Sequence, residues 1–527
     1  MKSMKSWIIC FVLLCGAAVL MAQSPQWEWK NRAGWSGSDC GSCIAIDSQG
    51  NQYVTGQIVF DGNANIFVGK MRPNGNWAWI FQQPGGISVD QGRGIAVDRV
   101  GNVYVTGSFQ GTATFGSHTL TTNGSYDIFV AKLNPSGNWL WAVKAGGTSV
   151  DEGYGIAMDG VGNAYVTGYF NNAATFGSLT LTATDGACLD IFVAKLNPSG
   201  NWLWAVKAGG NCDDEGSGID VDDSGNAYVT GYFNYTATFG GHTLTASGSY
   251  DIFIAKLNPY GNWLWARKAG GTSVEHGTGI AVDGAGNAYV TGYFNGTATF
   301  GSQTLLATHG YGSDIFVTKL GTSGNWLWAV KAGWTDSDSG SGIAVDGAGN
   351  AYVTGRFEGT ATFGSHTLTS TGSYDIFAAR LNPSGTWQWA VKAGGTDSDT
   401  GSGIAVDGAG NAYVTGYFTG TATFGSHTLT SSGGTDIFVA KLSYIPPKAP
   451  VNVQITMNGN SAVITWDAVT EDIHNQPFTP DGYYIYESSD PLGGFTYLGH
   501  SSSTAYIDSS VGEYEPRVFY RVKAYKN

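Results

Sequence analysis

Seven carboxylic acids recur at one position of this sequence and are the first residues that could do chemistry. Each stands four residues before a segment of the Gly-Ile-Ala-Val-Asp type, and the set is Asp39, Asp90, Asp151, Asp214, Glu275, Asp338 and Asp399. Repeated oxygen ligands suit a hard cation, so one interpretation is a ring of carboxylates that binds calcium or a polyol. The alternative is that each acid caps its own loop by accepting backbone N–H bonds. We favour capping, because every repeat keeps the acid whether or not it would reach a ligand.

The residue just before each of these segments varies from copy to copy. The set is Ser42, Arg93, Tyr154, Ser217, Thr278, Ser341 and Ser402. Arg93 and Tyr154 stand out, and Gln91, Glu152 and His276 lie one or two positions from this site in their own copies. Functional residues concentrate in variable loops on a rigid scaffold, so these side chains could form a binding patch near repeats two to five. Drift of an unselected surface is the alternative.

Three other substitutions break the repeat. Arg356 replaces a recurrent tyrosine, Asp220 a recurrent alanine and Trp334 a recurrent glycine. No serine or cysteine motif singles out a nucleophile, and the glycines belong to turns rather than to a phosphate-binding loop. The motifs therefore indicate no catalytic residue.

Four cysteines follow the N-terminal segment. Cys188 and Cys212 flank one predicted hairpin and fall almost opposite each other when residues are counted outward from its turn. We therefore predict a disulfide between them in an oxidising compartment. Cys40 and Cys43 form Cys-Gly-Ser-Cys, for which a strained local bridge and two free thiols are both open.

A repeat that occurs seven times positions all of these residues. The phrase Gly-Asn-x-Tyr-Val-Thr-Gly begins at Gly50, Gly101, Gly162, Gly225, Gly286, Gly349 and Gly410. Each unit carries four segments rich in β-branched and aromatic residues, typified by Gly279–Asp283, Ala288–Phe294, Asp190–Leu196 and Trp139–Gly146. Tight turns with glycine join the first segment to the second and the third to the fourth. Four antiparallel strands per repeat predict the blades of a β-propeller.

The chain enters this repeat in the middle of a unit. The tryptophan segment first occurs as Trp27–Gly34, ahead of any other strand, and the seventh unit lacks it at its C-terminal end. An open ring would leave an unpaired strand edge, so we expect Trp27–Gly34 to complete the last blade. The sequence thus predicts an all-β fold with a seven-bladed β-propeller closed by the N-terminal strand, followed by a small β-sandwich.

Two resemblances agree with this prediction. The pattern Gly-Ile-Ala-Val-Asp-x-x-Gly-Asn-x-Tyr-Val-Thr-Gly, present in all seven units with small changes, resembles the bacterial β-propeller repeat family called SBBP. It covers Gln26 to about Ser443 and implies the fold, but that family carries no single activity. After a proline-rich linker, Trp466, Tyr520 and Val522 resemble positions of a fibronectin type III sandwich.

The predicted domains are a signal peptide at residues 1–22, the propeller at residues 23–445 and the fibronectin type III-like sandwich at residues 446–527. The first of these has two lysines before an apolar run, which is typical of secretory signals. No later apolar stretch is long enough to span a bilayer once the signal is cleaved. We predict a monomer that is secreted or held at the cell surface, with the periplasm as an alternative.

Charge and composition limit the possible partners. The chain has 40 acidic and 26 basic residues, and its net charge of −14 argues against a nucleic-acid partner. The leading interpretation is a non-catalytic protein that presents a propeller face to carbohydrate or protein ligands, since exposed Trp, Tyr and Asp suit both. The alternative is an extracellular carbohydrate-active enzyme, a hydrolase or lyase, which would need a special pair of carboxylates. No cofactor is expected apart from the calcium ion considered above.

Overall fold

The computed structural model describes residues 24–81, 86, 88–308, 312–443, 450–458, 461–471, 480, 482–488, 495–509 and 519–525. All regular elements in these ranges are β-strands, so the all-β prediction is confirmed. No helix within them is long and apolar enough to cross a membrane. The chain divides into a unit spanning Trp27–Ser443 and a second unit that includes the described residues from 450 onward. The predicted signal peptide lies outside the described residues.

The large unit consists of one strand followed by seven repeats. The leading strand is β1 (Gln26–Ala33). Repeats one and two contain β2 (Cys40–Ile46), β3 (Gln52–Phe60), β4 (Asn63–Met71), β5 (Trp77–Phe81), β6 (Gln91–Val97), β7 (Val103–Phe115), β8 (His118–Leu133) and β9 (Trp139–Gly146). Repeats three and four contain β10 (Asp151–Met158), β11 (Ala164–Asn171), β12 (Ala173–Phe176), β13 (Leu179–Thr182), β14 (Leu189–Leu196), β15 (Trp202–Gly210), β16 (Glu215–Val221), β17 (Ala227–Phe239), β18 (His242–Leu257) and β19 (Trp263–Ala269).

The remaining strands follow the same pattern. Repeats five and six contain β20 (Glu275–Val282), β21 (Ala288–Asn295), β22 (Thr297–Phe300), β23 (Gln303–Leu306), β24 (Ser313–Leu320), β25 (Trp326–Trp334), β26 (Ser339–Val345), β27 (Ala351–Phe363), β28 (His366–Leu381) and β29 (Trp387–Ala393). Repeat seven contains β30 (Thr400–Val406), β31 (Ala412–Phe424) and β32 (His427–Ser443). The second unit contains β33 (Gln454–Asn458), β34 (Ser461–Thr465), β35 (Gly482–Ser488), β36 (Thr496–Ser501), β37 (Ala505–Asp508) and β38 (Phe519–Tyr525).

In each repeat, the paired strands run antiparallel. In repeat four β17 lies between β16 and β18, and β18 pairs in turn with β19. The turn between the first two strands closes with the Gly225 N–H donating to the Asp222 carbonyl at 2.8 Å. Gly225 has a φ of +79°, which glycine adopts without strain. The middle strands are buried on both faces, which explains their continuous apolar segments.

The inserted Thr-Ala-Thr-Phe segments form hairpins that reach the preceding repeat. In repeat four, Thr238 pairs with Gly209 and Ala237 pairs with Gly210 at the end of β15. This short bridge merges repeats three and four into one eight-stranded sheet, and repeats five and six merge in the same way. The hydrogen-bonded sheets are therefore larger than isolated four-stranded blades, because the hairpin completes the free edge of its neighbour.

The core of the large unit lies between successive repeats. One cluster combines Tyr165 and Val193 of repeat three with Val229 and Phe253 of repeat four. Hydrogen bonds cross the same boundary, since the Tyr165 hydroxyl donates to the Gly225 carbonyl at 2.9 Å. Neighbouring repeats thus bury the faces that neither could bury alone.

The first and last repeats meet in the same manner. β1 is the edge strand of a sheet in the order β1–β32–β31–β30. The first strand of each repeat contacts that of the next, and β30 of repeat seven contacts β2 of repeat one. Ile44 and Val54 of repeat one share a cluster with Ile437 and Val439 of repeat seven.

The second unit has two three-stranded sheets, in the orders β33–β34–β37 and β36–β35–β38. Its apolar core includes Trp466, Tyr483, Ile485 and Tyr520. The Tyr520 hydroxyl donates to the Asp508 carboxylate at 2.7 Å, which satisfies a buried polar pair.

Candidate functional site

The seven recurrent acids are fully buried. Asp214 is representative, because its Oδ2 accepts the Gly210 N–H at 2.7 Å and its Oδ1 accepts the Asn234 N–H at 3.0 Å. The same two kinds of bond, one from the loop and one from the second strand, reach Asp39, Asp90, Asp151, Asp338 and Asp399. Glu275 accepts the Gly271 N–H at 2.9 Å. This geometry is that of loop capping and not of a carboxylate ring open to solvent.

A second buried carboxyl group lies beside the capping acid. A Cβ on Gly209 would lie 2.5 Å from Asp190 Oδ1 and 3.0 Å from Asp214 Oδ2, so both carboxyl groups converge on this glycine. Lys207 Nζ lies 2.9 Å from Asp190 Oδ2, and Asp190 Oδ1 has no hydrogen-bond partner among the described residues. Burial, with the nearby Asp190 charge, raises the pKa of Asp214 to about 8. A proton between the two groups would relieve their repulsion.

A cation site does not follow from these acids. They belong to seven different repeats, and at Asp190 the Lys207 ammonium already supplies the positive charge. Among the described residues, no three His, Cys, Asp or Glu side chains are placed to hold a metal ion. The residues present therefore do not fit the calcium ion that the sequence left open.

The variable residues occupy β-bulges. In repeat four the pairing of β16 with β17 slips between Gly216 and Gly218, which leaves Ser217 unpaired. The same slip in every repeat falls at Ser42, Arg93, Tyr154, Thr278, Ser341 and Ser402. A bulge re-aims the side chain of its unpaired residue, and bulges are frequent next to binding sites.

Arg93 and Tyr154 contact each other across neighbouring repeats. The Arg93 guanidinium lies 4.7 Å from the centroid of the Tyr154 ring, and its Nη2 lies 3.1 Å from Glu152 Oε2. The Tyr169 ring packs 5.8 Å from that of Tyr154. Burial, with the charge of Glu215, holds the pKa of Tyr154 above its usual range. The two outstanding bulge residues therefore belong to one site.

His276 is stacked between tyrosines of two repeats. Its ring lies 4.1 Å from that of Tyr232 at an interplanar angle of 20°, and 5.0 Å from that of Tyr293. Burial lowers the pKa of His276 to about 4, so the ring is neutral at neutral pH. The Tyr232 hydroxyl donates to Glu215 Oε2 at 3.0 Å, which ties this stack to the neighbouring acid.

Arg356 ends this row of side chains. It stands where four other repeats have a tyrosine, and its guanidinium lies 4.5 Å from the centroid of the Tyr374 ring. We refer to the whole set as the symmetry-breaking cluster, which consists of Arg93, Glu152, Tyr154, Tyr169, Glu215, Tyr232, His276, Tyr293 and Arg356.

The sequence did not single out the three tyrosines of the cluster that lie on second strands. Tyr169, Tyr232 and Tyr293 belong to the repeated phrase Thr-Gly-Tyr-Phe and so resembled structural residues. The signal that could have found them is strand register: Glu215 pairs with Tyr232, and His276 pairs with Tyr293. Each tyrosine stands opposite the residue two positions before the bulge of its own repeat.

Other candidate residues have different surroundings. Gln91 pairs with Ser108, and its amide donates to Gln57 Oε1 at 2.5 Å. Asp220 Oδ2 accepts the Val282 N–H of the next repeat at 2.7 Å, a contact that joins two first strands. Trp334 is 47% exposed and, with Thr335, lines an open surface cavity of about 550 Å³. None of these three residues contacts the symmetry-breaking cluster in the hydrogen bonds and ring contacts of the described residues.

The predicted disulfide is absent from the structure. Cys188 and Cys212 are both free thiols, and the Cys188 Sγ donates instead to the Asn211 carbonyl at 3.2 Å. Cys40 and Cys43 are also free thiols. The Cys188–Cys212 bond remains a prediction for the protein in an oxidising compartment.

The chain contains a recognised β-propeller repeat. The profile of the SBBP family, described as a beta-propeller repeat, matches residues 80–108, 140–172, 204–232, 264–297, 332–356 and 388–420. Each matched segment begins within the fourth strand of one repeat, includes the first strand of the next and extends at least into its second strand. The protein is therefore a β-propeller repeat protein.

Two curated relatives match the sequence. The uncharacterized WD repeat-containing protein L264 of Acanthamoeba polyphaga mimivirus is 26% identical in an alignment of 469 residues that covers 73% of this chain and 33% of that protein. The regulatory protein FlaEY of Caulobacter vibrioides is 25% identical in an alignment of 315 residues that covers 56% of this chain and 33% of that protein. The chain thus spans about one third of the length of each relative.

Two solved structures match the chain with low sequence identity and TM-scores below 0.5. Sqt1 from Chaetomium thermophilum has a TM-score of 0.39 at 9% identity and covers 82% of this chain and 94% of its own. YCF48 bound to D1 peptide has a TM-score of 0.39 at 8% identity and covers 80% of this chain and 98% of its own.

Proposed function

We propose that the seven repeats form a closed seven-bladed β-propeller with β1 as the outer strand of its last blade. The contact between β30 and β2 supports this arrangement, as does the pairing of β1 with β32. Closure would leave no blade face without a neighbour. The second unit is proposed to be a fibronectin type III-like sandwich, a proposal supported by Trp466 and Tyr520 in its core.

The proposed location is outside the cytoplasm. Residues 1–22 would act as the signal peptide, and the remaining chain would be secreted or held at the cell surface. N-terminal sequencing of the protein recovered from the medium and the cell surface tests this step. A mature chain that begins near residue 23 supports export, and an uncleaved cytoplasmic chain contradicts it.

The proposed function is non-catalytic binding of a protein or carbohydrate ligand by the symmetry-breaking cluster. The observation that carries this proposal is the meeting of the unusual bulge residues Arg93 and Tyr154 with Glu152 in one contacting group. A purely structural propeller could keep serine or threonine at these bulges, as the other five repeats do. A cluster of charged and aromatic side chains is, by contrast, suited to recognition of a specific ligand.

The test compares two variants on immobilised glycan and peptide arrays. The double variant Arg93→Ser/Tyr154→Ser restores the usual bulge residue and is expected to lose binding by at least about tenfold, roughly 1.4 kcal/mol. The matched control Ser402→Ala changes a bulge outside the cluster and is expected to bind like the parent. Equal binding by all three proteins would refute the proposed site.

One observation favours a second candidate function, glycoside hydrolysis. Glu152 is ion-paired with Arg93, whereas burial raises the pKa of Glu215, so two neighbouring acids have different environments. Glycosidases use such a pair, with the raised-pKa group as general acid. Turnover of chromogenic glycosides that disappears in Glu215→Gln would establish this alternative, and absence of turnover across a broad glycoside panel would favour binding.

A further inference from the structure

Two charged side chains of the symmetry-breaking cluster have no ion-pair partner. Neither Glu215 nor Arg356 lies within 4.0 Å of an oppositely charged group among the described residues. Both are partly buried, so neither charge is fully hydrated. A partly desolvated charge gains from an opposite charge more than a fully exposed one does.

Arg93 does not form an ion pair with Glu215. Arg93 lies within electrostatic reach of this acid, but its Nη2 is bound to Glu152 Oε2 at 3.1 Å. The direct partner of Glu215 is the Tyr232 hydroxyl at 3.0 Å. The acid therefore accepts a neutral hydrogen bond and has no ion-pair partner among the described residues.

Arg356 is placed where the repeat usually has an aromatic ring. Its guanidinium stacks on Tyr374 at 4.5 Å, which fixes the side chain without neutralising it. Arginine presents paired N–H donors that match a carboxylate. The position therefore suits an incoming acidic group.

A neutral aromatic surface separates the two charges. Tyr232, His276 and Tyr293 are stacked in that order, with centroid separations of 4.1 Å and 5.0 Å. Arg356 occupies in repeat six the strand position that Tyr293 occupies in repeat five, and the charges of both Arg356 and Glu215 act on the Tyr293 hydroxyl. A ligand that crosses this surface would meet a negative charge at one end and a positive charge at the other.

We infer that the symmetry-breaking cluster binds a polypeptide segment that presents one basic and one acidic side chain, with the basic group at Glu215 and the acidic group at Arg356. This inference rests on the proposed binding function and names its ligand. The aliphatic parts of the two ligand side chains would lie on the Tyr232–His276–Tyr293 surface. A neutral glycan could hydrogen-bond the cluster, but it would leave both charges uncompensated.

Capped synthetic peptides provide the probe. Each carries one lysine and one glutamate separated by zero to four glycines, in both orders, with Gln-substituted peptides as neutral controls. Titration calorimetry with the full exported chain is expected to show binding for one order and spacing, and at least tenfold weaker binding for either neutral peptide. Glu215→Gln and Arg356→Gln should each weaken the same peptide at least tenfold.

The controls separate charge from folding. Asp223→Asn and Arg99→Gln remove matched charges that are 85% and 76% exposed, and they should leave affinity unchanged. If the two charges select the ligand, the charge exchange Glu215→Arg/Arg356→Glu should bind the peptide in which lysine and glutamate are in the reverse order. Unchanged melting temperatures of all variants establish that the fold is intact.

The remaining outcomes distinguish failure of the peptide inference from failure of the proposed binding function. Equal binding of charged and neutral peptides overturns the inference, as does the absence of binding by every charged peptide. Loss of binding to an arrayed neutral glycan in Glu215→Gln would overturn the peptide inference while leaving the proposed binding site intact. If cluster variants changed neither peptide nor glycan binding, the proposed function itself would fail.

Discussion

At the scale of single residues, the repeated acids stabilise loops, whereas the residues that depart from the repeat form the candidate binding site. Asp214 uses both carboxylate oxygens on backbone N–H groups and has no exposed surface left for a ligand. Arg93 and Tyr154 have the same backbone setting as the serines of other repeats, but they contact each other. The same bulge thus carries a small uncharged residue in five repeats and a residue of the candidate site in two.

The buried carboxyl pairs predict that stability falls as pH rises from about 6 to 8. Burial raises the pKa to about 6 for Asp90, to about 7 for Asp151, Glu275, Asp338 and Asp399, and to about 8 for Asp214. Their unfolded values lie near 4, so the native state holds more protons in this window. The stabilisation is complete below the unfolded pKa and is lost as pH rises through the folded pKa.

The measurement is the melting temperature between pH 6.5 and 8.5. The opposing change from His276 is small above pH 6.5 and ends at about pH 7.5, because its folded-state pKa is lowered to about 4 and only the unfolded imidazole still titrates there. Asp214→Asn should melt with a smaller decrease over this range than the parent, whereas the exposed control Asp223→Asn should follow the parent. A parent protein that becomes more stable toward pH 8.5 would contradict the assignment.

At the scale of elements, one strand distant in sequence completes the sheet of the last repeat. β1 pairs with β32, and Trp27 Nε1 donates to the Lys392 carbonyl at 3.1 Å. The Trp27 ring meets Phe424 edge-on at 5.3 Å. The hairpin extensions make similar connections, since those of repeats three, four and six pair with the fourth strand of the preceding repeat and those of repeats five and seven form a bridge just after it. The repeats are thus joined by main-chain hydrogen bonds as well as by apolar packing.

Removing one side chain of β1 should therefore destabilise the large unit. Trp27 is 6% exposed, and Trp27→Ala is expected to cost about 3–5 kcal/mol of unfolding free energy because it leaves a cavity and an unpaired carbonyl. The control Trp334→Ala removes a ring that is 47% exposed and should cost less than about 1 kcal/mol. Urea unfolding followed by tryptophan fluorescence measures both, and equal losses would contradict the role given to β1.

At the scale of the whole molecule, apolar clusters between neighbouring repeats distribute stability along the chain, as repeat architectures do. No single metal centre is required for this, and the described residues offer no group of three ligands. The candidate ligand site is also distributed, because its side chains come from repeats two to six. Such a site exists only when neighbouring repeats are packed in the correct register.

Calcium is accordingly expected to leave the melting temperature unchanged. The capping acids already accept backbone N–H bonds, and the Lys207 ammonium lies beside the Asp190 carboxylate. Differential scanning calorimetry in about 5 mM calcium should match that in chelator, because a ligand that binds only the native state would raise the transition. A saturable rise specific to calcium would show that the acids bind the ion after all.

Much of the architecture can be predicted from the sequence because its signals are local. The phrase Gly-Asn-x-Tyr-Val-Thr-Gly marks a turn and a buried strand in each repeat, and glycine such as Gly225 supplies the positive φ that the turn requires. The spare tryptophan segment at Trp27–Gly34 also pointed to a partner at the other end of the repeats. Segment order and turn chemistry thus determined the strands and indicated which ends should meet.

The candidate site required the tertiary structure. Neither the stacking of Tyr232 of one repeat on His276 of the next nor the pairing of Arg93 with Glu152 can be read from spacing, because the residues are brought together by packing between repeats. The same packing buried the acids that the sequence offered as a possible calcium ring. The local sequence determined the strands and turns of each repeat. Which side chains share a surface was decided by the packing of one repeat on the next, because that packing depends on contacts between residues remote in the chain.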